Sequence, residues 1–172
     1  MTRSQLEHII RASGAIAEVH QLVIIGSQAI LGPYPEAPSD LLSSMEADVF
    51  PLHDTERADL IDGSIGEDSF FHETFGYYAH GISPDAAILP RNWKSRLIHI
   101  QNDNTNGVEG LCLAPVDIAI SKLLAGRKKD LSFVKKMIEF SMISVNDIKN
   151  VSQELSQSWQ TKLITALSAL NR

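Results

Sequence analysis

Two carboxylates, Glu46 and Asp48, stand one residue apart in "SMEADVFP", a stretch that is otherwise mostly apolar. In a strand, residues i and i+2 project to the same face, so this spacing sets the two acids side by side. Carboxylates that close repel, which raises a pKa or demands a cation. A divalent ion such as Mg²⁺ meets that demand, since it is held by one or two carboxylates and completes its shell with water and substrate phosphates. Upstream, "LVIIGSQAIL" (residues 22–31) is an apolar run broken by Gly26-Ser27-Gln28. A glycine and a hydroxyl between a strand and a helix let backbone N–H groups approach a phosphate at the positive end of that helix. Alone, each feature has a plainer reading: an ordinary turn for Gly26-Ser27, a solvated strand edge for the acids. Their combination in apolar surroundings points to a site for a metal-bound nucleoside triphosphate. There is no G-x-x-x-x-G-K-[ST] and no G-x-G-x-x-G, so neither a P-loop nor a dinucleotide fingerprint is present.

The frame for these residues follows from periodicity and punctuation. "SQLEHIIRASGAIAEVH" places Leu6, Ile9, Ile10, Ser13, Ile16 and Val19 near helical spacing, and Ser4 with Glu7 fits a capping box. "QLVII" reads as a strand and "SQAIL" as a short helix opened by Gly26-Ser27. Residues 32–40 are a Pro- and Gly-rich loop, and "EADVF" is a strand ended by Pro51. "DTERADLIDGSIG" predicts a helix capped by Asp54 or Thr55. An aromatic-rich strand is expected from about Phe75 to Ile82. "RLIHIQN" and "GLCLA" read as two strands around the turn signal "DNTNG". "PVDIAISKLLAG" is a helix with proline at its first position and glycine at its end. "KKDLSFVKKMIEFSM" repeats apolar residues at helical spacing, and Ser144 to Leu170 reads as one or two more helices. The expected class is α+β: a small mixed sheet flanked by helices over 1–114, with a helical C-terminal part over 115–172 packed on it, together one structural domain.

These residues match a known pattern. "IIGSQAIL" followed by "EADVF" resembles the nucleotidyltransferase superfamily signature of an apolar strand, Gly-Gly or Gly-Ser, then [DE]-x-[DE] on the next strand. "PVDIAISKLLAGRKKDLSFV" resembles the helical D-x-x-x-x-K-L-x-A-x-R-x-x-D segment of minimal nucleotidyltransferases found in bacterial toxin–antitoxin and abortive-infection systems. The resemblance runs from about Leu22 to Val134. It implies that Gly26 and Ser27 contact the triphosphate, that Glu46 and Asp48 bind metal, that Lys122 reaches the phosphates, and that Asp130 with Arg127 completes the far wall of the pocket. Plainer roles stand beside these: Lys122 as a snorkelling surface lysine, Asp130 as a helix cap, and Asp117 as support for a helix dipole. The third carboxylate that active members often carry on a later strand is absent. His80 occupies that strand, as ligand or base, and Asp85 follows in "SPD", where it also reads as a turn residue.

The resemblance implies transfer of a nucleoside monophosphate from an NTP, with Mg²⁺ or Mn²⁺, to a tRNA-like RNA or a protein hydroxyl, by a component of a toxin–antitoxin pair. The alternative is a degenerate domain that binds nucleotide or a cognate toxin or antitoxin protein without catalysing. A net charge of −6 argues against broad binding to nucleic acid. Arg91, Lys94 and Arg96 around Trp93 form a small basic cluster, either a contact to nucleic acid or a solvated loop. Cys112 lies in apolar "GLCLAP" and reads as packing. No run approaches a membrane span, and "MTRSQLEHII" has no signal-peptide core, so a cytoplasmic location is expected.

Overall fold

Glu7, expected to close a capping box with Ser4, instead turns inward and is 5% exposed. It accepts hydrogen bonds from Arg3, Asn102 and Asn104. The box forms earlier, between Thr2 and Gln5, and opens helix α1 (Arg3–Ala17). The structure, a computed structural model, describes residues 1–170. The last two residues of the expected helical part, Asn171 and Arg172, lie outside the described residues.

Strand β1 (Gln21–Ile25) is buried from Leu22 onward. It leads into a 3₁₀ segment (Ser27–Leu31), and β2 (Glu46–Pro51) follows after the loop. Helix α2 (Ala58–Ile65) starts behind a 3₁₀ turn (Thr55–Arg57), and the expected cap from Asp54 or Thr55 does not form: Arg57 takes the cap position. Phe75, expected to open a strand, instead ends a helix. Ser69 caps α3 (Phe70–Phe75), and Gly76, left-handed, ends it. That shortens the expected strand to β3 (Tyr78–Gly81). Phe71 and Phe75, one helical turn apart, pack their rings 5.0 and 4.8 Å from that of His8. This contact rewards the helix more than a strand would.

Strands β4 (Ile98–Ile100) and β5 (Glu109–Cys112) complete a five-stranded sheet of order β3-β2-β1-β5-β4. Pairs β1–β2 and β4–β5 are antiparallel, β1–β5 and β2–β3 parallel. The class is therefore α+β with a mixed sheet, as expected. Helices α4 (Pro115–Ala125), α5 (Lys128–Glu139), α6 (Val145–Ser152) and α7 (Gln157–Leu170) follow. Pro115 opens α4 and left-handed Gly126 closes it, as the sequence pattern requires.

Helix α4 is moored at its first turn. Asp117, wholly buried, accepts two hydrogen bonds from the Arg96 guanidinium at 2.7 and 3.0 Å, and Arg96 also donates to Glu154 at 2.9 Å. Two expectations change accordingly. Asp117 is an ion-pair partner more than a dipole support, and Arg96 is committed to carboxylates rather than presented to nucleic acid. Cys112 is packed in the core, where burial pushes its thiol up to about 12. No described helix is long and apolar enough to cross a membrane.

Candidate active site

Strand register assembles the site. Antiparallel pairing sets Asp48 opposite Ile25, just before Gly26. Parallel pairing sets Tyr78 opposite Glu46 and His80 opposite Asp48. The alternation along β2 is the one the spacing predicts: Ala47 and Val49 are wholly buried, while Glu46 and Asp48 are partly exposed on the other face. Ligand atoms of Glu46, Asp48 and His80 all lie within 4.8 Å of one another. The Tyr78 hydroxyl donates to Glu46 Oε2 at 2.9 Å, and His80 Nδ1 lies 3.0 Å from Asp48 Oδ1.

The electrostatics match the crowding. Burial and the neighbouring Glu46 charge push the Asp48 carboxyl above its ordinary range, with His80 and Lys122 pulling it back. Burial and the bond to Glu46 raise the Tyr78 phenol, so it remains a proton donor at neutral pH. Gly26 is required twice over. Its φ is +71°, a conformation L side chains rarely adopt, and a Cβ there would overlap Asp48 Oδ2. The segment behind it is a 3₁₀ turn of five residues, not an α-helix. Its dipole is accordingly small, and local N–H groups with the Ser27 hydroxyl are what it offers a phosphate.

The opposing wall comes from the end of α4 and the start of α5. Asp130 is wholly buried, 3.1 Å from Lys122 Nζ and 2.6 Å from Arg127 Nε. Burial alone would raise the Asp130 carboxyl, but the Arg127 bond and the Lys122 charge hold it below its ordinary value. Lys122 therefore does not snorkel outward; it also lies 4.6 Å over the Phe133 ring. Nor does Asp130 cap α5, whose cap position is Arg127.

A cleft of about 580 Å³ separates these walls, lined by Gly26, Ser27, Glu46, Asp48 and His80 on one side and by Lys122, Arg127 and Asp130 on the other. Asp85 lies apart from the acidic group, in an exposed turn (Pro84–Ala86), accepting a hydrogen bond from the Ser83 hydroxyl. Tyr78 escaped the sequence reading, because its place beside Glu46 depends on the register of two strands far apart in the chain.

The donors fit a divalent cation. Two repelling carboxylates and an imidazole converge, and Lys122, whose charge acts on Asp48, is already bonded to Asp130. Comparison with protein families matches residues 4–166 to a family model described as nucleotidyltransferase of unknown function (DUF6036). Searches of curated proteins and of solved structures gave no match.

Proposed function

The chain belongs to a family of nucleotidyltransferases of unknown function, and from that premise we propose that it moves a nucleoside monophosphate from an NTP to an acceptor hydroxyl, releasing pyrophosphate. One observation carries this reading: paired acids and paired cations face each other across a single cleft. Glu46 and Asp48 would hold Mg²⁺ or Mn²⁺, which when bound offsets charge on the attacking and leaving oxygens. Tyr78 fixes the Glu46 carboxylate through its hydroxyl bond. Backbone N–H groups at Gly26-Ser27 and the Ser27 hydroxyl take phosphate oxygens, with Lys122 and Arg127 on the same chain of phosphates. Asp130 holds those two cations toward the cleft.

The acceptor is a protein hydroxyl rather than an RNA end. From residue 58 to 90 the chain carries Asp59, Asp62, Glu67, Asp68, Glu73 and Asp85, all exposed, and no Lys or Arg. This segment borders the acidic wall, because the His72 ring packs 4.6 Å from Tyr78, whose hydroxyl bonds Glu46. A polyanion would be repelled there, and 83%-exposed Phe70 offers a protein an apolar contact instead. The resemblance of the α4–α5 segment to toxin–antitoxin enzymes supports a cytoplasmic role in such a pair, with the cognate protein as acceptor. The absent third carboxylate favours a second reading, a domain that binds nucleotide and partner without transfer.

The test is label transfer from α-labelled ATP, CTP, GTP and UTP, with Mg²⁺ or Mn²⁺, to cell protein and to total tRNA. Label on protein that disappears in the Glu46→Ala/Asp48→Ala variant is the expected result. Nucleotide binding with no label on either acceptor would favour the second reading.

A further inference from the structure

We infer that His80 is a metal ligand, and that its imidazole tunes the site toward a first-row transition ion such as Mn²⁺ in preference to Mg²⁺. This rests on the metal-site reading above and goes beyond it, by assigning the third donor and the class of ion.

Two observations carry it. The β2–β3 register places His80 directly opposite Asp48, with its Nδ1 3.0 Å from Asp48 Oδ1 and within 4.8 Å of the Glu46 ligand atom. The imidazole therefore stands where an ion shared by both acids would be reached by a third donor. Second, the His80 side chain is 49% exposed, so it is not packed in place and can turn a nitrogen toward such an ion without moving the backbone.

The donor chemistry then sets the preference. Mg²⁺ demands oxygen ligands in near-ideal octahedral geometry and dehydrates reluctantly. Imidazole adds little to Mg²⁺ affinity but a real bond to first-row transition ions, whose affinities rise along the series from Mn²⁺. An all-carboxylate triad would lack that discrimination.

The experiment is electron paramagnetic resonance of Mn²⁺ added to the intact chain, alone and with a non-hydrolysable NTP analogue, followed by competition with Mg²⁺. Pulsed measurements on protein carrying ¹⁵N-histidine detect a directly bound imidazole nitrogen. The expected result is a nitrogen coupling that changes with the isotope. In His80→Asp the coupling disappears and the Mg²⁺ concentration needed to displace Mn²⁺ drops by about tenfold or more. Mn²⁺ that binds through Glu46 and Asp48 without nitrogen coupling would overturn this inference and leave the metal-site reading standing. Mn²⁺ that does not bind in either condition would overturn both. If His80→Asp fails to fold, the isotope-dependent coupling of the unmodified chain decides the matter alone.

Discussion

Asp117 and Asp130 are both wholly buried carboxylates near the starts of C-terminal helices, and each is bonded to an arginine, yet their surroundings are inverted. At Asp117 a single guanidinium serves two acids, Asp117 and Glu154. At Asp130 two cations, Lys122 and Arg127, share one acid. The first cluster has no positive charge to spare. It closes on itself and ties α4 to the segment before β4 and to the loop between α6 and α7. The second keeps a surplus of positive charge on the lip of a cleft whose far wall is acidic. Burial and ion pairing alone therefore say little about role. The sign of the charge left over separates a mooring from a binding wall.

The contrast breaks first at Arg96. Arg96→Ala strands a buried carboxylate, so it should cost about 3–5 kcal/mol and lower the melting temperature on the order of 10 °C. A loss below about 1 kcal/mol in urea or thermal unfolding would mean that the triad is not a mooring. Next is Lys122→Met, which leaves Arg127 on Asp130 and removes a cation facing the phosphates. NTP affinity should fall about 10- to 100-fold by calorimetry, the range for a lost hydrogen bond between charged groups, while the melting temperature moves little. Stability lost with affinity retained would assign Lys122 to the fold alone.

The smallest effect is the acid limb of stability. The Asp130 carboxyl is held low, so its contribution is complete above the unfolded value of about 4 and is lost as pH falls through the folded value. Burial pushes Asp117 the other way despite Arg96, so its contribution is present at low pH and lost as pH rises through the raised value. Asp130→Asn should therefore flatten the loss of stability on acidification, and Asp117→Asn should not. Urea midpoints measured across pH 3 to 6 check the sign for each.

What the sequence disclosed was local. "QLVII" and "EADVF" are strands because a continuous apolar run and a period-2 alternation each admit one placement in a sheet. Pro115 and Gly126 bracket α4 because each residue suits one end of a helix. Gly26, Ser27, Glu46 and Asp48 were nameable from residue type and spacing, and His80, Lys122, Arg127 and Asp130 from the family resemblance; all eight share one cleft. Its hidden parts depend on partners remote in sequence. Tyr78 reaches Glu46 across 32 positions and Arg96 reaches Asp117 across 21. Strand register and a long-range ion pair leave no periodic trace. The start of the strand expected at Phe75 was misplaced for a related reason: Phe75 closes a helix set by Ser69, Gly76 and contacts to His8, a partner far away in sequence.

Gly26 carries a consequence for how this chain can vary. Every missense change at its codon adds a Cβ, and any Cβ there meets the Asp48 carboxylate while forcing a side-chain-bearing residue to a φ of +71°. Any side chain at this position is therefore strained, although Gly26 has no side-chain chemistry of its own. Losing the Asp48 carboxylate would remove the overlap but not the φ of +71°, so position 26 stays closed to side chains even in a descendant that has abandoned the metal-binding acids.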